Sequence, residues 1–160
     1  MNKIGASILI TLGICLLLAS CAKKDERTID EIDAEKIENF IKNNNIRAQK
    51  DVSGVYYQIL NAGNGTATPV LNSKITVTYT GRLLDGTVFD SKASDSPLTQ
   101  YLAYLIKGWQ YGVPLIKSGG SIRLIIPSSL GYGRSEQGSI PGNSVLDFDI
   151  SLVSLQTTAR

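Results

Sequence analysis

The chain contains no histidine. That absence removes imidazole triads, histidine general bases and histidine-ligated metal sites together. Cysteine is nearly as scarce, with 2 in the chain, Cys15 and Cys21, both close to the N-terminus. A thiolate metal site or a disulfide framework therefore has little to be built from. Neither charge sign dominates: 16 basic and 14 acidic residues give a formal net charge of +2. No basic stripe with interleaved aromatics marks a nucleic-acid partner. Long βαβ crossovers and internal repeats are missing too. The 160 residues suffice for one domain with a real core plus an appendage. The composition points to a protein working without a cofactor, metal, covalent nucleophile or nucleic acid.

What is present begins with an address. In MNKIGASILITLGICLLLASC, Lys3 precedes an apolar run from Ile4 to Leu18. A charged start and a core too short to span a bilayer comfortably read as a secretory signal. The run closes on Leu18-Ala19-Ser20-Cys21, which resembles the lipobox of bacterial lipoproteins. The resemblance implies that residues 1–20 are removed and that Cys21 becomes the acylated, palmitate-bearing N-terminus, making a lipid bilayer one partner. The alternative is a plain signal peptide or an uncleaved anchor. Acyl chains contribute about 0.8 kcal/mol per buried CH₂, and two or more hold firmly. Ala22 is not the aspartate that retains enterobacterial lipoproteins at the inner membrane, so the expected site is the outer membrane, on its periplasmic side or at the cell surface. Lys23-Lys24-Asp25-Glu26 also looks like the charged export signals of Bacteroidetes surface lipoproteins; the plainer reading is a solvated spacer.

From Thr28 to Ala48, Ile29, Ile32, Ile37, Phe40 and Ile41 recur mostly at helical spacing. Asp30, Glu31, Asp33, Glu35 and Glu38 are expected on the opposite face, favouring the N-terminal half of a helix dipole. Thr28 with Glu31 forms a capping-box pattern, and Asn43-Asn44-Asn45 is a stop. These features predict one amphipathic helix over 29–43, packed on the following domain or, alternatively, against a second copy. Residues 21–50 thus read as tether and helix, and 51–160 as the domain. Beyond Ser53-Gly54 the pattern becomes short β-prone runs, 55–60, 75–80, 121–126 and 145–153, separated by turn signals such as Asp85-Gly86 and Pro127. Without long crossovers the sheet should be mainly antiparallel. Only the stretch around the sole tryptophan, IKGWQYGVPLIKSGG, is left to supply a short helix against it.

Three ordered segments carry a family likeness: VTYTGRLLDGTVFDS (77–91), GWQYGVPLIKSGGSIRLIIPSSLGYG (108–133) and GSIPGNSVLDFDISLVSL (138–155). With SGVYYQIL and the Gly63/Gly65 turn, they make residues 53–155 resemble an FKBP-type peptidyl-prolyl cis-trans isomerase. The resemblance implies an α+β fold, a half-wrapped antiparallel sheet around one short helix, acting on proline-containing or unfolded polypeptides. Residue by residue, it makes Tyr79 a pocket wall, Phe89 an aromatic wall and Asp90 a carboxylate near the substrate carbonyls. Leu105 supplies an apolar wall and Ile106 a backbone amide. Trp109 becomes the indole floor, Tyr132 a hydroxyl donor, Ile140 a loop wall and Phe148 an aromatic on the last strand. Asp90, Tyr132 and Phe148 are the residues the likeness implicates in catalysis; the others bind substrate. Taken singly, Phe148 and Trp109 would pass for core residues and Asp90 for a turn cap, so the constellation carries the reading.

The chain departs from the family pattern at Leu98, where many active members carry phenylalanine, and at Ser139, where isoleucine is common. Lys92-Ala93-Ser94-Asp95-Ser96 is short and has no arginine to partner Asp90. These departures support an alternative, a binding module that holds unfolded chains without isomerising them. A structural lipoprotein acting through its helix is a third reading.

Overall fold

The computed structural model describes residues 27–156; the expected signal segment and Cys21 lie outside them. Helix α1 (Ile29–Asn43) begins at a reciprocal capping box: Glu31 N–H donates to the Thr28 hydroxyl at 3.2 Å, and Thr28 N–H donates to the Glu31 carboxylate at 2.7 Å. It stops at Asn44, followed by Asn45 with φ 53°, a left-handed conformation asparagine tolerates.

Seven strands follow. They are β1 (Gln49–Lys50), β2 (Tyr56–Asn61), β3 (Lys74–Leu83), β4 (Val88–Lys92), β5 (Leu98–Tyr101), β6 (Ser121–Ile126) and β7 (Leu146–Gln156), with the short helix α2 (Lys107–Gly112) between β5 and β6. All pairings are antiparallel, in the order β1-β2-β6-β7-β3-β4, and β5 also pairs with β3. The expected antiparallel, half-wrapped architecture is the one observed. Strands β4 and β5, which the sequence pattern left unassigned, pair with successive halves of β3.

Two-residue periodicity sorts the core. Along β6, Ile122, Leu124 and Ile126 face an inner cluster with Ile75, Val77, Trp109, Phe148, Ile150 and Leu152. Ile125 instead faces outward into a second cluster with Ile37, Tyr56 and Val145, packed by Phe40, Ile41 and Ile46. The apolar stripe of α1 thus covers the outer face of the sheet, while α2 sits against the inner face. Outward-pointing charges on β7 are paired: Arg123 grips the buried Asp147 through two bonds of 2.8 and 2.7 Å, and Arg82 reaches Asp149 at 2.7 Å.

One charged position departs from the amphipathic assignment. Asp33 is 1% exposed, not on the solvent face of α1. Its carboxylate accepts from Ser128 N–H at 2.9 Å and from the Ser128 hydroxyl at 2.5 Å. Four residues before Ile37, it lies on the buried stripe, and its partner is 95 positions away in sequence, where helical periodicity cannot see it. The helix is therefore pinned to the domain, and β1–β2 pairing (Gln49↔Tyr57, Lys50↔Tyr56) carries the chain directly into the sheet. A division at Asp51 runs through both contacts.

Candidate active site

Helix α2 lies nearer the sheet than side chains normally allow. A Cβ at Gly108 would fall 2.4 Å from Ile126 Cγ2, and one at Gly112 would fall 2.5 Å from the Leu124 methyls. With these two glycines one turn apart against β6, the helix sinks inward and buries Trp109 to 3% exposure. The indole meets Tyr79 edge-to-face at 5.1 Å and 87°, and Phe148 at 5.3 Å and 89°. Phe148 in turn meets Phe89 at 5.5 Å and 84°. Such edge-to-face packing is favourable beyond area burial.

Gly81 makes that cluster fit. It pairs with Phe148 across β7 and with Asp90 across β4, and a Cβ there would stand 2.6 Å from the Phe148 ring and 2.7 Å from Phe89. The missing side chain is the space the two rings occupy.

The result is a cleft of about 190 Å³ lined by Tyr79, Phe89, Asp90, Leu98, Tyr104, Leu105, Ile106, Trp109, Tyr132 and Phe148. Eight of the nine residues singled out in the sequence line it. Ile140 does not; it is 5% exposed within the inner core. Its loop closes on itself, with Gln137 N–H donating to the Ile140 carbonyl at 2.9 Å and the reciprocal bond at 3.0 Å. Leu98 lines the cleft, so the departure at that position alters the wall itself. Tyr104 also lines the cleft; as an exposed tyrosine in a short connection it carries no periodic signal, and only its place just before Leu105-Ile106 points to it.

The polar groups are few and placed around the apolar floor. Tyr79 donates its hydroxyl to Asp90 Oδ2 at 2.5 Å. No cation stands within ion-pair distance of Asp90 among the described residues, so the tyrosine is its partner. Burial, then the hydrogen bond to Asp90, pushes the Tyr79 hydroxyl well above the ordinary tyrosine range. Burial, then the Asp90 charge, raises Tyr132 as well. Both are therefore neutral donors at neutral pH. Among the described residues, the Tyr132 hydroxyl and the Ile106 N–H make no hydrogen bond, and the buried Trp109 Nε1 has no partner either. Gln110 steadies the segment ahead of α2, its amide donating to the Leu105 carbonyl at 2.7 Å and the Ala103 carbonyl at 3.1 Å. Among the described residues no three acidic side chains gather as a metal-ligand set.

An aromatic-floored cleft with unspent donors at its rim can take a small apolar ring and orient the carbonyls beside it. Residues 65–153 match the model of the family described as FKBP-type peptidyl-prolyl cis-trans isomerase. The chain is 45% identical over 108 residues to the FKBP-type peptidyl-prolyl cis-trans isomerase FkpA of Buchnera aphidicola subsp. Schizaphis graminum, covering 67% of this chain and 43% of that one. The crystal structure of FkpA from Escherichia coli superposes with a TM-score of 0.72 at 34% identity, covering 81% of this chain and 61% of that one. A peptidyl-prolyl cis-trans isomerase from Pseudomonas syringae pv. tomato gives 0.67 at 28% identity, covering 82% of this chain and 98% of its own. The chain spans about half the length of the curated relatives it matches.

Proposed function

This chain belongs to the FKBP-type peptidyl-prolyl cis-trans isomerase family, and on that premise we propose that it catalyses cis–trans rotation about X-Pro bonds in polypeptide clients outside the cytoplasm. The observation that carries this reading is the convergence of Tyr79, Phe89, Asp90, Trp109, Tyr132 and Phe148 on one cleft. An X-Pro bond turns over a barrier of about 18–20 kcal/mol because rotation breaks amide resonance. The twisted state has lost the charge separation of the planar amide, so transfer from water to an apolar medium favours it. The prolyl ring rests on Trp109 between Phe89, Leu98 and Phe148. The Tyr132 hydroxyl and the Ile106 amide hold the flanking carbonyls and fix the axis of rotation. Asp90, held by Tyr79, places a carboxylate at the rim without proton transfer. No covalent bond to the protein forms.

A protease-coupled isomerisation assay on the purified protein with a proline tetrapeptide tests the reading. Acceleration of the slow phase is expected; binding without acceleration would favour the chaperone-like alternative, which Leu98 in the wall supports.

We also propose that the protein is lipid-anchored through Cys21, on the support of Leu18-Ala19-Ser20-Cys21, and held at the outer membrane. Mass spectrometry of the native protein should find an acylated Cys21 at its N-terminus. An unmodified chain beginning at Met1 in the membrane fraction would overturn this.

A further inference from the structure

A second depression abuts the cleft and shares Tyr104 with it. It encloses about 400 Å³ and is lined by Leu71, Asn72, Tyr101, Ala103 and Tyr104. None of these side chains is charged. Tyr104 is 77% exposed, Leu71 52% and Tyr101 36%, and the neighbouring Val70 is also open to solvent. Single exposed apolar residues are ordinary on protein surfaces; a contiguous set beside a binding cleft marks an interaction surface. The two tyrosines are arranged rather than scattered, their rings meeting edge-to-face at 6.0 Å and 80°.

The ground beneath them is fixed. Ala103 N–H donates to the Leu71 carbonyl and Leu102 N–H to the Ser73 carbonyl, both at 3.0 Å, stapling the 70–73 turn to the segment after β5. Ser73 is fully buried, and its hydroxyl oxygen accepts from Val70 N–H at 3.0 Å. Gln110 holds the Ala103 carbonyl from the other side at 3.1 Å. The exposed apolar groups therefore sit on a pre-formed backbone, and binding there does not have to order a loop.

We propose that this groove is an extension subsite that takes an apolar or aromatic side chain of the same polypeptide whose X-Pro bond occupies the cleft. The proposal rests on the isomerase reading of the cleft and adds to it a substrate class: unfolded chains with a large apolar residue two or three positions from the proline. Continuity decides the occupant. A chain seated on Trp109 must leave the cleft past its rim, Tyr104 forms the side of that rim next to the groove, and an extended strand advances about 3.3 Å per residue. A side chain two or three residues from the proline then falls on the Tyr101–Tyr104–Leu71 surface. The absence of charge in the lining selects against acidic and basic residues at that position.

The test compares full-length wild type with Leu71→Ser and Tyr101→Ser, two groove residues outside the cleft. Substrates are a proline tetrapeptide and decapeptides in which a single leucine is walked along either side of the proline, with serine as its replacement. Wild type should show a KM lower by about tenfold, the equivalent of 1.4 kcal/mol, at one or two leucine positions. Both variants should lose that preference while keeping wild-type kcat/KM on the tetrapeptide. Equal handling of leucine and serine decapeptides by wild type, or a leucine preference surviving in both variants, overturns the subsite. Concentration-dependent dimerisation abolished by Leu71→Ser, with no leucine preference, would assign the groove to a second copy and overturn it too. If the tetrapeptide is not isomerised, the function reading fails separately. Titration of the same decapeptides against the fluorescence of Trp109, the sole tryptophan, then decides the groove: a weaker Kd in the variants supports it, and equal Kd values overturn it.

Discussion

At the scale of single residues, the site works by what its groups do not do. Tyr79 and Tyr132 are both held in the neutral form, mainly by burial and secondarily by Asp90. The chain has no histidine, and the other polar groups at the rim are a backbone amide and a carboxylate. With no imidazole and both tyrosines neutral, kcat/KM should stay nearly flat from about pH 6 to 8.5. A steep step near pH 7 in a buffered isomerisation series would expose a general acid or base and sink the desolvation mechanism. The same shifts set the stability trend. Because the folded state prefers both tyrosines protonated, their contribution is fully present below the ordinary tyrosine value of about 10 and is lost as pH rises beyond it towards their folded values. Urea midpoints should accordingly hold up to that range and fall above it. Replacing Tyr132 with Phe should lower kcat/KM by the equivalent of about 0.5–1.5 kcal/mol, one neutral hydrogen bond, with the urea midpoint little changed. Trp109→Ala should cost more, about 3–5 kcal/mol of stability, because the indole is at once floor and core.

At the scale of elements, legibility in the sequence followed locality. Helix α1 was readable to its ends because its signals are local: Thr28 with Glu31, the isoleucine spacing, then three asparagines. The β2, β3, β6 and β7 runs are readable as β-prone stretches between turn signals, whereas β4 and β5 are short and largely exposed and carry no such pattern. The cleft was legible only through motif order, since eight side chains from separate elements cannot be assembled from periodicity. Asp33 could not be read correctly, because a buried carboxylate looks like a solvent-face charge until its distant partner is known. That partner gives α1 a reach into the site. Ser128, gripped by Asp33, opens the 3₁₀ turn Ser128–Leu130 that leads into Gly131-Tyr132-Gly133, and its carbonyl accepts from Gly133 N–H at 2.8 Å. Asp33→Ala should leave the Ser128 N–H buried and unsatisfied. The expected loss is about 1.5–3 kcal/mol, the range for hydrogen bonds to a charged group. Because Tyr132 follows directly, kcat/KM should fall as well, without a shift in the pH profile. An Asp33→Ala protein with wild-type urea midpoint and activity would show the helix contact to be idle.

For the whole molecule, the sheet separates two cores with different duties. The inner one, around Trp109 and Phe148, carries the cleft; the outer one, Ile37 with Tyr56, Ile125 and Val145, fastens α1 to the face opposite α2. The segment that would lead from a membrane anchor thus ends on the back of the sheet, and the catalytic elements owe it stability more than shape. A chain starting at Asp51 puts this to the test. Such a fragment keeps every strand except the two-residue β1, and all ten cleft residues, so it should still fold and still bury Trp109. It uncovers Ile125 and Val145, each worth about 1.5–3 kcal/mol when fully buried. With the Asp33 contact to Ser128 removed as well, about 1.5–3 kcal/mol more, the expected loss is about 4.5–9 kcal/mol, set against the roughly 5–15 kcal/mol that domains of ordinary stability possess. Urea denaturation followed through the single tryptophan should show a cooperative transition at lower midpoint, with native emission unchanged before it. A fragment without a cooperative transition would mean that α1 is part of the folding unit itself, and that the domain begins at Thr28 rather than at Asp51.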